Sequence, residues 1–272
     1  MTRFTHDGCD INYEIRGEGP HTLLFNGSGA SIESSAPLIN ALAKTMTVLV
    51  HDQRGLGESS VPQGPYSMAQ YAADGHALVR HVGWNRCNVV GISFGGMVAQ
   101  EFAVTFPGVV EKLVLLCTSA GGAAGASYPL HELGALTAEE RLARQMELTD
   151  SRFVDESWLA EHPVEATIVA GMRDRATVTK TAERLRGERL QLEARMHHDV
   201  SDRLVRVTAP TFVLAGRYDG IAPVANSEQI VARIPDSSMQ VYEGGHMFSG
   251  QDRNAILDIR AFVADGTRTA RS

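Results

Sequence analysis

The run Cys87-Asn88-Val89-Val90-Gly91-Ile92-Ser93-Phe94-Gly95-Gly96-Met97-Val98-Ala99-Gln100 constrains this chain most. Asn88 to Ile92 reads as a short buried strand, Ser93 as a very tight turn, and the residues after it as a helix that starts at once. The turn spells Gly91-x-Ser93-x-Gly95. A serine on such a strand-to-helix bend is held in a strained conformation with its Oγ pushed out above the sheet. The flanking glycines suit two backbones that pass too close for a Cβ. The N–H of Phe94 opens the helix, where the dipole favours negative charge. One segment thus offers a nucleophile and half of an oxyanion hole. A Gly-rich turn before a core helix would read the same locally, so the partners downstream decide.

The surrounding chain has the rhythm such a turn needs. Arg3 to His6 and Ile11 to Arg16 read as a hairpin around Asp7-Gly8. Thr22 to Phe25, Thr47 to His51 and Val110 to Thr118 are short apolar runs, as expected for strands covered on both faces. Helices are expected over Pro37 to Lys44, over Ser67 to Val82, and from the serine turn to Phe106, stopped by Pro107-Gly108. Strand alternating with helix predicts a mostly parallel sheet with helices on both faces. After Thr118 the alternation breaks. A small-residue loop, Ser119 to Ser127, leads into a stretch that reads almost wholly helical to Leu204, with a capping box at Thr137-Ala138-Glu139-Glu140. Ala182, Leu185, Arg189, Leu192 and Met196 fall near helical spacing on one face. This stretch reads as a helical cap over residues 121–204, inserted into a core made of 1–120 and 205–272. Alternation then resumes with a strand over Pro210 to Gly216, a helix over Asn226 to Arg233, a strand over Met239 to Tyr242 and a last helix containing Ile256 to Val263. The tail from Gly266 reads as frayed.

A serine hydroxyl needs a base to take its proton, and the base needs an acid to orient it. Asp219 follows the strand ending at Gly216, and His246 follows the strand ending at Tyr242. Taken singly, each is an ordinary loop residue. Together they lie at the carboxyl ends of strands, where open parallel sheets bind ligands, in the order serine, acid, histidine. The loop after Thr118 carries no carboxylate to rival Asp219. Asn26-Gly27-Ser28-Gly29 follows an earlier strand, and the backbone N–H of Ser28 is the expected second oxyanion donor beside that of Phe94; Gly29 is one residue further on.

These pieces resemble the α/β-hydrolase fold over nearly the whole length. The resemblance rests on the Asn26-Gly27 loop, Asp52-x-Arg54-Gly55-x-Gly57-x-Ser59, Gly91-x-Ser93-x-Gly95-Gly96, Gly216-x-x-Asp219-x-x-x-Pro223 and Gly244-Gly245-His246. It implies about eight strands with a helical lid after the sixth, and Ser93, Asp219 and His246 as a catalytic triad. Asn26-Gly27 stands where many relatives carry His-Gly. Within the fold the chain is most similar to small bacterial esterases, enol-lactonases and cofactor-free haloperoxidases. The expected reaction is hydrolysis of a small carboxylic ester or lactone. Perhydrolysis, thioester hydrolysis and carbon–carbon bond cleavage use the same groups, and a non-catalytic binding protein is the contrasting reading. The pattern also implies that Asp52 and Arg54 are structural. Phe94, Met97, Met247 and Phe248 are candidates for an apolar acyl pocket, although Met97 suits the core equally.

Composition narrows the rest. Of 272 residues, 43% are hydrophobic and 21% charged, enough for a sizeable core. A net charge of −7 without a basic run argues against nucleic acid as a partner and leaves a small-molecule substrate. Three cysteines, Cys9, Cys87 and Cys117, do not make a disulfide framework, and a reduced, cytoplasmic setting is expected. Met1 to Asp7 holds no apolar leader, and no run approaches the ~18 apolar residues of a membrane span. No metal or cofactor is expected. His197-His198 lacks a third ligand at metal spacing and reads as an exposed helix end, and no phosphate-loop or dinucleotide pattern occurs. The cap arginines read as a solvated face, with a substrate carboxylate as the alternative partner for one of them. A homo-oligomer stays open.

Overall fold

The computed structural model describes residues 2–266. Eight strands form one sheet: β1 (Thr2–His6), β2 (Cys9–Arg16), β3 (His21–Phe25), β4 (Thr47–His51), β5 (Cys87–Ile92), β6 (Val110–Leu116), β7 (Thr211–Gly216) and β8 (Ser237–Tyr242). Their order is β1-β2-β4-β3-β5-β6-β7-β8. β1 and β2 pair antiparallel, as does β2 with β4, and every later pair is parallel. The helices are α1 (Ala36–Leu42), α2 (Met68–His81), α3 (Phe94–Thr105), α4 (Ala138–Thr149), α5 (Glu156–Glu161), α6 (Pro163–Thr177), α7 (Ala182–Met196), α8 (Val224–Val231), α9 (Phe248–Gln251) and α10 (Arg253–Asp265). The tail that reads as frayed lies, beyond Gly266, outside the described residues.

The apolar strands serve two cores because their side chains alternate. In β3, Leu23 and Phe25 join α2 and α3 on one face, while Leu24 points to the other with α1 and α10. In β6, Leu113 and Leu115 go one way and Val114 and Leu116 the other. β3 and β5 are neighbours, and the connection from β3 leads to β4 on one side while that from β5 leads to β6 on the other. At such a reversal the loops diverge and open a crevice beyond the carboxyl ends of the strands. The loop after β3 and the turn after β5 border that crevice.

Between β6 and β7 no described strand interrupts the helices α4 to α7. The insertion closes on itself through a bridge between Gly121 and Asp199. Met146, Phe153, Leu159 and Val169 give it a small core of its own. The capping box forms at Thr137 and Glu140. The buried face of α7, however, differs from the expected one. Gly187, Leu190, Gln191, Ala194 and Arg195 are buried, while Leu185 and Met196 are about half exposed. The cause is the surface that α7 meets. Leu190 and Ala194 enter the apolar core, and around them polar side chains reach backbone: Arg186 donates to the carbonyls of Val61 and Pro62, and Arg184 to that of Gly29. A Cβ at Gly187 would stand 1.9 Å from the Gly55 carbonyl oxygen, so only glycine lets the helix settle there.

Asp52 and Arg54 are structural, as expected. Asp52 accepts hydrogen bonds from the Ile32 and Glu58 N–H groups and from Asn12 Nδ2. Arg54 is buried and paired with Asp74 on α2 through two bonds of 2.6 and 2.7 Å. Removing one partner of a buried pair strands the other charge and costs about 3–5 kcal/mol. Asp74→Asn is therefore expected to lower the urea unfolding free energy by about that amount.

Two histidines are buried neutral. Burial pulls the pKa of His51, at the end of β4, from 6.5 to about 4, and does the same to His198, just after α7. His198 corrects the expectation of an exposed helix end; only His197 is exposed. The unfolded chain binds protons on these rings at a higher pH than the folded chain does. The stability contributed by these rings is therefore full above pH 6.5 and falls as the pH drops from 6.5 to about 4, by on the order of 3 kcal/mol for each ring. Unfolding free energies measured across this range should fall less steeply in His51→Leu than in the parent protein.

Candidate active site

The site is built first by the turn at Ser93. Its backbone lies at φ 54° and ψ −116°, a region that costs a non-glycine residue about 1–3 kcal/mol. Close packing imposes it. A Cβ at Gly95 would come within 2.0 Å of the Phe25 carbonyl oxygen, and one at Gly91 within 2.5 Å of the Gly95 carbonyl oxygen. The end of β3, the end of β5 and the start of α3 thus share a volume that larger residues would not permit. Thr118 donates to the Ser93 carbonyl at 2.8 Å, which ties the turn to the end of β6.

Asp219 and His246 reach Ser93 from β7 and β8. Ser93 Oγ lies 2.9 Å from His246 Nε2, and His246 Nδ1 lies 2.7 Å from Asp219 Oδ2. The second carboxylate oxygen of Asp219 accepts from the Ile221 and Ala222 N–H groups at 2.7 and 2.9 Å. The carboxylate is fixed by its own loop and acts as the acceptor for Nδ1–H. Nε2 is then the unprotonated nitrogen, facing the hydroxyl. Asp219 is buried and the His246 side chain is 13% exposed, so the chain of bonds is shielded but reachable.

The cap holds both loops in place. The Gly220 N–H donates to the Leu148 carbonyl at 2.9 Å, and the His246 N–H donates to that of Thr149 at 2.5 Å. Asp150 accepts from Gln251 Nε2, whose Oε1 accepts from the Gly245 N–H. Residues 148–150 therefore form a strap across the Asp219 and His246 loops. Sequence reading missed it, because backbone carbonyls carry no residue signature.

The loop after β3 lies beside the serine, with a Cβ at Gly27 falling 3.7 Å from Ser93 Cβ. The Gly29 N–H is engaged by Gln191 Oε1 of α7 at 2.8 Å. Among the described residues, no group takes up the N–H of Ser28 or that of Phe94, which as the first residue of α3 has no partner within the helix. Of the four residues expected to line an acyl pocket, only Met97 borders a cavity described below. Phe94 is buried edge-on against Tyr71, Phe248 stacks on Tyr242 in the opposite core, and Met247 is partly exposed. Sequence distance from Ser93 and His246 suggested the pocket, but side-chain direction sends both rings into the core.

Cys117 also reaches this site. It sits just past β6 rather than within a strand, at φ 42°, and its thiol shares a 4.8 Å cluster with Asp219 and His246. Burial, with the Asp219 charge adding to it, raises the thiol pKa well above its ordinary value, so it stays protonated. His246 Nδ1 is already committed to Asp219, so the cluster lacks a free set of metal donors. No described helix is long and apolar enough to cross a membrane.

A family model described as the alpha/beta hydrolase fold matches residues 20–130. The chain is 30% identical to a poly(3-hydroxyalkanoate) depolymerase from Ectopseudomonas oleovorans over 93% of this chain and 88% of that one. It is 26% identical to a 3-oxoadipate enol-lactonase of Acinetobacter baylyi over 90% of each. The solved structure of a hydrolase from Pseudomonas aeruginosa superposes with a TM-score of 0.74 at 26% identity, covering 98% of both chains. With likeness of this extent in both sequence and fold, the chain belongs to the α/β-hydrolase family.

Proposed function

We propose that this chain hydrolyses a small carboxylic ester or lactone through an acyl-enzyme on Ser93. The observation that carries the reading is the unbroken chain of bonds from Ser93 Oγ to His246 to Asp219, at 2.9 and 2.7 Å. His246 Nε2 takes the hydroxyl proton as Oγ attacks the carbonyl carbon. The carbonyl oxygen gains the electron pair and is met by the N–H groups of Ser28 and Phe94. Collapse of the tetrahedral species expels the alkoxide, which takes the proton from His246. Asp219 stabilises the imidazolium in between. A water, deprotonated by His246, then attacks the acyl group, and Ser93 is restored as the acid leaves.

The Gly29 N–H is already taken by Gln191, which supports Ser28 over Gly29 as the second donor. The names of two relatives, a polymer depolymerase and an enol-lactonase, support carboxylic ester and lactone carbonyls as the target.

Ser93→Ala is expected to lower kcat by on the order of 10⁵–10⁶ on the best of a graded panel of p-nitrophenyl esters and lactones. A fluorophosphonate should label the folded parent protein at Ser93, read by peptide mass. A variant with near-parental turnover, or a folded protein that stays unlabelled, would overturn the mechanism.

A further inference from the structure

Arg195, near the end of α7, is 8% exposed, yet no carboxylate among the described residues pairs with it. Its hydrogen bonds both leave from Nη2, to Ser127 Oγ at 2.6 Å and to the Tyr128 carbonyl at 2.8 Å. Nη1 and Nε hold none. Burial alone acts on the group and draws its pKa down to about 10, which leaves it charged at neutral pH. A desolvated cation without a counter-charge is costly.

Arg195 lines a cavity of about 100 Å³ between α7, the loop after β6 and Met97. That is the room of roughly three waters, too small for a whole substrate and enough for a carboxylate with its adjoining carbon. His198 lines the same cavity as a buried ring whose nitrogens have no well-formed hydrogen bond, though the Ser119 backbone lies near. Two polar side chains, one charged and one neutral, thus border one small space with bonding capacity unused.

Two lining residues tie this space to the serine turn: Met97 sits on α3, which Ser93 caps, and Ser119 follows Thr118, which donates to the Ser93 carbonyl. Along α3, Met97 lies one turn, about 6 Å, beyond Ser93. Along α7, Arg195 lies one turn, about 6 Å, beyond Gln191, which grips Gly29 of the loop beside Ser93. We propose that Arg195 and His198 form a subsite for a carboxylate carried by the substrate a few bonds from the reacting carbonyl. This deepens the ester or lactone reading of Ser93 and rests on it. The planar fork of arginine takes a carboxylate in two parallel bonds, and the desolvation of the cation is already met on folding. An ester or lactone that lacks the acid would leave the cation unanswered.

Binding and turnover test this separately. In the Ser93→Ala background, glutarate should raise the melting temperature and glutaramide should not, and Arg195→Gln should abolish the difference. Glutarate and glutaramide acting alike would overturn the subsite. In the parent enzyme, mono-p-nitrophenyl esters of succinate, glutarate and adipate should include one turned over with a higher kcat/KM than p-nitrophenyl butyrate. Arg195→Gln should lower kcat/KM for that anionic ester by about 30–100-fold, mainly through KM, and change the neutral ester less than about threefold. An equal loss on both esters would mean that Arg195 only holds the cap, and the proposal fails. If Arg195→Gln does not fold, the parent comparison still decides, since a preference for the neutral ester also overturns it. If no ester is turned over, the acyl-enzyme reading fails while glutarate binding still decides the subsite.

Discussion

Strand β5 cannot pass into α3 over a single residue unless Ser93 adopts a left-handed backbone, and nothing in serine itself favours that. The surroundings hold it there. Gly91 and Gly95 let the ends of β3 and β5 and the first turn of α3 occupy one volume, while Thr118 fastens the Ser93 carbonyl to the end of β6. The strain is local and the compensation is spread through two apolar cores. Every other part of the site is placed relative to this turn: the loop after β3 lies beside it, and the loops after β7 and β8 bring Asp219 and His246 to its hydroxyl.

The helical insertion is bound to the same place from two sides. On one side, the carbonyls of Leu148 and Thr149 take the N–H groups of Gly220 and His246. On the other, Gln191 and Arg184 of α7 take the N–H and the carbonyl of Gly29. These contacts are hydrogen bonds to backbone, short and directional, so displacement of the insertion would disturb the acid, histidine and glycine loops together. A cap attached only by apolar contact could slide without such an effect.

Much of this was legible in the residues. The strand-helix rhythm and the breaks at Gly and Pro reflect short-range preferences and burial, and β4 falls where its apolar run predicts. Ser93, Asp219 and His246 could be paired because each follows a strand, and parallel strands deliver their ends to one edge. The α7 face was not legible. Apolar spacing pointed to Leu185 and Met196, but the face that docks carries Leu190 and Ala194 into the core, and Arg184, Arg186 and Gln191 meet backbone groups around them. Phe248 follows the same lesson: nearness to His246 in the chain did not set the direction of its ring.

By itself the sequence determined the fold and the order of Ser93, Asp219 and His246 along it, because strand burial, helix starts and glycine turns are governed by neighbours a few residues away. Tertiary structure alone decided which backbone groups remain open beside the serine, and that Arg195 and His198 are buried on one cavity. Those properties depend on what surrounds a group in space. The residues that surround it come from distant parts of the chain, and only packing brings them together.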